Sequence, residues 1–131
     1  MNIALVLSGG TGARMGLEQY QRIAGKPVIV HTLEQFEKFS EIDGVIVAAC
    51  AEWEQQILEW KITYALSKLR GIAPAGPDRQ QSIRNGLRAA EPLMKGRPGG
   101  VIIQDAARPL TSQDLLARLI QALEEAPAVM P

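Results

Sequence analysis

Cysteine is nearly absent: the single Cys50 excludes an internal disulfide and leaves no companion thiol for a redox pair or a cysteine-based metal site. Histidine is equally scarce. His31 stands alone, without the partners of a metal centre or of a serine or cysteine nucleophile, and reads as a helix-surface or hydrogen-bonded residue. Neither charge is in excess, since 14 Lys plus Arg balance 14 Asp plus Glu. Bulk attraction to nucleic acid or to a membrane surface therefore has nothing to act on, and any anion site must be local. Long hydrophobic runs are missing too. The opening Asn2-Ile3-Ala4-Leu5-Val6-Leu7 is too short to cross a bilayer and has no basic leader, so we expect a buried strand, no membrane partner and no nucleic acid. A reducing cytoplasm suits the lone thiol. No internal repeat or low-complexity segment interrupts the chain.

What is present is an ordinary globular composition, 47% hydrophobic and 21% charged over 131 residues, enough for one domain with a core. Apolar runs at Ile3 to Leu7, Val45 to Ala49 and Val101 to Ile103 read as buried strands, with a shorter one around Ile72 and another beginning at Ala128-Val129-Met130. Between them lie helical stripes. Ile29, Leu33, Phe36 and Phe39 follow Gly25-Lys26-Pro27; Trp53, Ile57, Trp60 and Tyr64 mark a helix from Glu52 to Leu69. Arg79 through Ala90 should be helical with Ile83 and Leu87 inward, and Glu91 to Gly100 a surface loop. Thr111 or Ser112 should cap a last helix carrying Leu115, Leu116, Leu119, Ile120 and Leu123, while Met94 and Met130 look like packing. Strands alternating with helices imply an α/β fold with a mostly parallel sheet covered on both faces. The loops leaving the strands at about residues 8, 75 and 104 should then share one crevice.

Three polar segments in those loops can do chemistry. In Ser8-Gly9-Gly10-Thr11-Gly12-Ala13-Arg14-Met15, glycines let successive amides approach a phosphate, and the Arg14 guanidinium can grip and neutralise it. Leu7 and Ser8, where strand meets loop, join this nucleotide-binding set. The segment matches neither a Walker loop, since Ala13-Arg14 follows Gly12, nor the dinucleotide fingerprint, since Met15 occupies the place of its third glycine. A plain chain reversal is the alternative. In Ala75-Gly76-Pro77-Asp78-Arg79-Gln80-Gln81-Ser82, the Ser82 hydroxyl can serve a nucleobase or phosphate or merely cap a helix. Arg79 can serve the nucleotide or remain a solvated charge. In Gln104-Asp105-Ala106-Ala107-Arg108-Pro109, Asp105 can ligate an Mg²⁺ that bridges nucleotide phosphates, or act as a turn residue paired with Arg108.

Taken in order with Gly25-Lys26-Pro27-Val28-Ile29 and with Asp78-Arg79-Gln80-Gln81-Ser82-Ile83-Arg84-Asn85-Gly86-Leu87, these blocks resemble the methylerythritol-phosphate / ribitol-phosphate cytidylyltransferase family across nearly the whole chain. The resemblance implies a Rossmann-like three-layer sandwich of the nucleotide-diphospho-sugar transferase type. It also implies transfer of CMP from CTP to a sugar- or polyol-phosphate with release of pyrophosphate, and a homodimer in the full-length protein. By the same resemblance, Gly9, Gly10, Thr11, Gly12 and Arg14 would cradle the triphosphate, Gly76 and Ser82 would face cytosine and ribose, and Asp105 would hold Mg²⁺. Arg14 and Asp105 would be the catalytic pair. Some positions depart from the pattern. Leu17-Glu18 precede Gln19-Tyr20 where the family has Pro-Lys, Gln104 replaces a histidine, and Ala75 replaces a glycine. The family fold also runs beyond residue 131, so the expectation is a single nucleotide-binding domain over 1–131, incomplete at its carboxyl end. Two other readings remain open: a related nucleotidyltransferase such as a molybdopterin guanylyltransferase, and a catalytically silent nucleotide-binding module.

Overall fold

A computed structural model describes residues 1–8, 18–107, 113–122 and 128–129. In chain order the elements are β1 (Ile3–Leu7), a 3₁₀ turn (Glu18–Tyr20), β2 (Arg22–Ile23), β3 (Lys26–Pro27), α1 (Val28–Lys38), β4 (Gly44–Ala49), α2 (Ala51–Thr63), β5 (Leu69–Pro74), α3 (Arg79–Met94), β6 (Val101–Asp105), α4 (Gln113–Ala122) and β7 (Ala128–Val129). The main sheet has the order β5-β4-β1-β6-β7, and every pair in it is parallel. β1 is buried at each position, as a central strand covered on both faces must be.

The pleat of β1 divides the core. Ala4 and Val6 point into a cluster with Ile29, Leu33 and Phe36 of α1, Ile57 and Trp60 of α2, and Leu116 and Leu119 of α4. Ile3, Leu5 and Leu7 point the other way, where Ala90 of α3 joins them. The result is the expected three layers, with α1, α2 and α4 on one face and α3 on the other.

Several boundaries differ from the sequence reading. The α2 helix stops at Thr63 rather than Leu69. Ala65 takes φ 53°, and Lys68 is held by tertiary bonds, its amide donating to Glu37 Oε1 at 2.8 Å and its ammonium to the Phe39 carbonyl at 2.7 Å. These contacts turn the chain so that Leu69 can begin β5, overriding a locally helix-compatible sequence. α3, conversely, runs through Pro92 to Met94 before Lys95 and Gly96 enter the left-handed region. The surface connection is correspondingly shorter than Glu91 to Gly100. β6 includes Gln104 and Asp105, which end the strand instead of lying beyond it.

The inward face of α3 is also different: Ser82, Gly86 and Ala90 are buried, whereas Leu87 is 37% exposed. Small residues are needed there because the helix lies directly on β1. A Cβ on Gly86 would sit 2.3 Å from Leu5 Cδ1.

An element not anticipated is the β2–β3 hairpin, whose connecting residues Ala24 and Gly25 both have positive φ, at 52° and 83°. That pair of conformations suits a two-residue turn between antiparallel strands. His31 reaches back to it, its Nε2 lying 2.6 Å from the Ile23 carbonyl, in keeping with a hydrogen-bonded histidine. The expected cap at Thr111 or Ser112 and the helical Leu123 lie outside the described residues.

Candidate functional site

From β1 the chain builds outward through β4 and β5, then returns to place β6 on the opposite side of β1. Direction reverses there, and in an open parallel sheet the crevice forms at the carboxyl ends of the strands flanking that reversal. Leu7 is the register partner of Asp105, and the Ala106 amide donates to the Leu7 carbonyl at 2.9 Å. The ends of β1 and β6 are thus side by side.

Each strand end at this rim is held by a side chain from a neighbouring segment. At β1, the Ser8 amide donates to the Ala48 carbonyl at 2.8 Å, and its hydroxyl donates to the Tyr20 phenol oxygen at 2.7 Å. The Ser8 carbonyl accepts from Gln19 Nε2. At β6, the fully buried Thr32 of α1 donates its hydroxyl to the Ala106 carbonyl at 2.8 Å. After β5, the Ala75 amide donates to the Ala49 carbonyl at 3.0 Å, and the Gly76 amide donates to Ser82 Oγ at 2.9 Å.

The turn between β5 and α3 separates two roles that the sequence left open for Ser82. Asp78 is the N-cap, its carboxylate accepting from the Gln81 amide at 2.8 Å. Ser82, 1% exposed, instead folds the turn back on itself by accepting from Gly76. Glycine at 76 is a matter of space, because a Cβ would lie 2.3 Å from Gln81 Cβ and 3.0 Å from the Gln81 carbonyl carbon.

Arg79 then joins the second segment to the third. Its Nη2 lies 3.4 Å from Asp105 Oδ1, with the two side chains 48% and 37% exposed. Screening by water makes so open a pair weak as a source of stability. Its significance is position: a guanidinium and a carboxylate meet at the sheet's carboxyl edge, accessible from solution. Arg79 is therefore not a solvated charge alone.

The described part of the site accordingly brings together Leu7, Ser8, Arg79 and Asp105, with Gly76 and Ser82 forming the turn that delivers Arg79. Gly9, Gly10, Thr11, Gly12 and Arg14 lie outside the described residues, as does Arg108. Among the described residues no three His, Cys, Asp or Glu side chains gather as a metal cluster, and Asp105 offers a half-exposed carboxylate at the rim. A single hard oxygen donor open to solvent suits Mg²⁺, which keeps several waters and takes phosphate oxygens as further ligands.

Gln19, Tyr20 and Thr32 were not marked as site residues by sequence reasoning. Tyr20 stacks on Trp53 with centroids 3.7 Å apart and planes 13° from parallel. Burial pushes its phenol above the ordinary value; hydrogen bonds with Ser8 and Gln19 act in the opposite sense. The sequence signals were the place of Gln19-Tyr20 just after the glycine segment, where they follow the position of the family's Pro-Lys pair, and a polar residue beside the apolar stripe of α1.

Comparison with known proteins agrees with this architecture. The family model described as 2-C-methyl-D-erythritol 4-phosphate cytidylyltransferase matches residues 2–131. A ribitol-5-phosphate cytidylyltransferase from Streptococcus agalactiae serotype Ia is 33% identical over 129 residues, covering 95% of this chain and 54% of the relative. A 2-C-methyl-D-erythritol 4-phosphate cytidylyltransferase from Geobacter metallireducens is 36% identical, covering 93% of this chain and 54% of the relative. Among solved structures, the 4-diphosphocytidyl-2C-methyl-D-erythritol synthase of Anaerococcus prevotii superposes with a TM-score of 0.77 at 26% identity, covering 95% of this chain and 51% of that one. The chain spans about half the length of these relatives. No helix among the described residues is long and apolar enough to cross a membrane.

Proposed function

Because the chain belongs to the 2-C-methyl-D-erythritol 4-phosphate cytidylyltransferase family, we propose that it forms the nucleotide-binding part of an enzyme transferring CMP from CTP to ribitol 5-phosphate or methylerythritol 4-phosphate. The observation that carries this reading is the meeting of the β1, β5 and β6 ends: Leu7 pairs with Asp105, and Arg79 reaches Asp105. A triphosphate entering that crevice would meet the end of β1 on one side and the Asp105 carboxylate on the other.

In the proposed reaction an acceptor phosphate oxygen attacks the α-phosphorus of CTP. The new oxygen–phosphorus bond forms as the bond to the bridging oxygen breaks in line, and pyrophosphate leaves with that electron pair. Such chemistry asks the protein for position and charge neutralisation. Backbone amides of Gly9, Gly10, Thr11 and Gly12 would hold the phosphates, and Arg14 would balance charge on the α-phosphate. Ser82 would fix the Gly76 peptide against cytosine and ribose, and Arg79 would lie beside the phosphates. Asp105 would hold Mg²⁺, which when bound supplies charge neutralisation between the phosphates. We place the enzyme in the cytoplasm as a homodimer in its full-length form.

Pyrophosphate release from CTP, measured on the complete gene product with each of the two acceptors, tests the reading. Acceptor-dependent release that Arg14→Ala and Asp105→Ala reduce at least a hundredfold is the expected result. A thermal shift saturating with GTP and not CTP would favour a guanylyltransferase. Saturable CTP binding without turnover would favour a silent nucleotide-binding module, which Leu17-Glu18 in place of the family's Pro-Lys pair makes the relevant competitor.

A further inference from the structure

β5 lies at the edge of the sheet and ends at Pro74. The next residue, Ala75, turns its amide inward to the Ala49 carbonyl at 3.0 Å, so by the alternation of a parallel ladder the backbone groups of Pro74 face outward, where no strand follows. Proline has no N–H to leave unpaired on that side. Its carbonyl remains, and Asn85 of α3 supplies the donor, with Nδ2 2.9 Å from the Pro74 oxygen.

Ser82 and Asn85 are three residues apart on α3 and so are neighbours on its surface. They hold Gly76 and Pro74, which are two residues apart at the start of the turn. One bond would let the turn pivot, whereas two fix both its distance from the helix and its tilt. The helix has a fixed seat in turn, because Gly86, the residue after Asn85, rests on Leu5 of β1 with no room for a Cβ. A short line of contacts thus runs from the central strand through Gly86 and Asn85 to the turn that carries Gly76.

We propose that Asn85 is a positioning residue for base recognition: by holding Pro74 it sets the placement of the Gly76 turn, and with it the discrimination of cytosine from other bases. The inference rests on the cytidylyltransferase reading, in which Gly76 and Ser82 face the base, and deepens it by naming what keeps them in place. The Asn85 bond lies at the surface, so water can satisfy the Pro74 carbonyl when the side chain is lost, and stability changes little. A contact present before and during the reaction acts on nucleotide binding more than on the chemical step.

Asn85→Ala removes the donor, and Asn85→Asp replaces it at equal size by a carboxylate that cannot donate. UTP is the probe of placement, since uracil matches cytosine in size with the donor and acceptor of one edge reversed. In the complete gene product each variant should raise KM and Kd for CTP roughly three- to tenfold with kcat changed by less than about twofold, and the preference for CTP over UTP in kcat/KM should narrow at least about threefold. Melting temperatures should stay close to that of the wild type. Ala90→Gly, on the buried face of the same helix, is the control for a loosened α3: its melting temperature should fall while KM and the preference stay put.

In a protein whose wild type binds CTP, an unchanged KM, or a raised KM with an undiminished preference for CTP over UTP, would overturn this inference alone. Failure of both Asn85 variants to fold would do the same, by making the residue a structural one. A wild type that neither binds nor turns over CTP would instead remove the cytidylyltransferase reading itself, and that arm is decided without the variants.

Discussion

Single hydroxyls govern the shape of the site. Ser82→Ala would leave the Gly76 amide without its acceptor in a part-buried turn, which should cost about 1–3 kcal/mol of unfolding free energy and weaken CTP binding. Urea unfolding together with a CTP titration checks both, and a variant as stable as the parent would contradict the role assigned to Ser82. Tyr20 gives a prediction in pH. Burial, followed by the negative charges of Cys50 and Glu52, raises its pKa above the ordinary 10.0, although hydrogen bonds from Ser8 and Gln19 pull it down. The folded protein therefore keeps the phenolic proton to higher pH than the unfolded chain. The associated stability is whole below pH about 10 and is lost as pH rises through the folded value. Chemical denaturation above pH 10 should show the wild type losing stability more steeply than Tyr20→Phe.

At this scale the sequence was legible wherever a polar residue followed an apolar run, which is why Ser8, Gly76, Arg79, Ser82 and Asp105 could be singled out. Their partners were not. The fold brings Arg79 to Asp105 across 26 positions, and Thr32 reaches the Ala106 carbonyl across 74. Periodicity describes which face a residue occupies and says nothing about contacts between elements so far apart.

Among the elements, α3 shows how packing distance decides residue size. Its buried positions Ser82, Gly86 and Ala90 recur every fourth residue, the same spacing as an apolar stripe, but they are small because the helix touches Leu5. A search for large apolar residues therefore selected Leu87, which is partly exposed. Gly86→Ala would drive its methyl into Leu5, which is fully buried and has nowhere to go, and should cost about 1–3 kcal/mol. Leu5→Ala alone should also destabilise, by about 2–5 kcal/mol through the cavity it opens. Combined, the two changes should cost less than their sum, since each relieves the other's defect, and additive losses in thermal melts would contradict the close approach. α2 teaches the complementary lesson. Residues after Thr63 are compatible with helix, and it is the bonds from Lys68 to Glu37 and Phe39 that end it.

For the whole molecule, alternation of strands and helices was sufficient to read the parallel sheet and its two covered faces, because one strand pattern sorts side chains to opposite sides. Strand order was not written there. Only the fold shows β6 returning beside β1, and that return sets strand ends far apart in sequence side by side. In the proposed reaction nucleotide phosphates enter between those strand ends and Asp105 would carry the ion. Calorimetric titration of CTP with and without Mg²⁺ tests this most directly. Mg²⁺ should tighten CTP binding at least about tenfold in the wild type and hardly at all in Asp105→Ala, as expected for a contact of about 1.4 kcal/mol or more. An Asp105→Ala protein that keeps the full Mg²⁺ effect would contradict it.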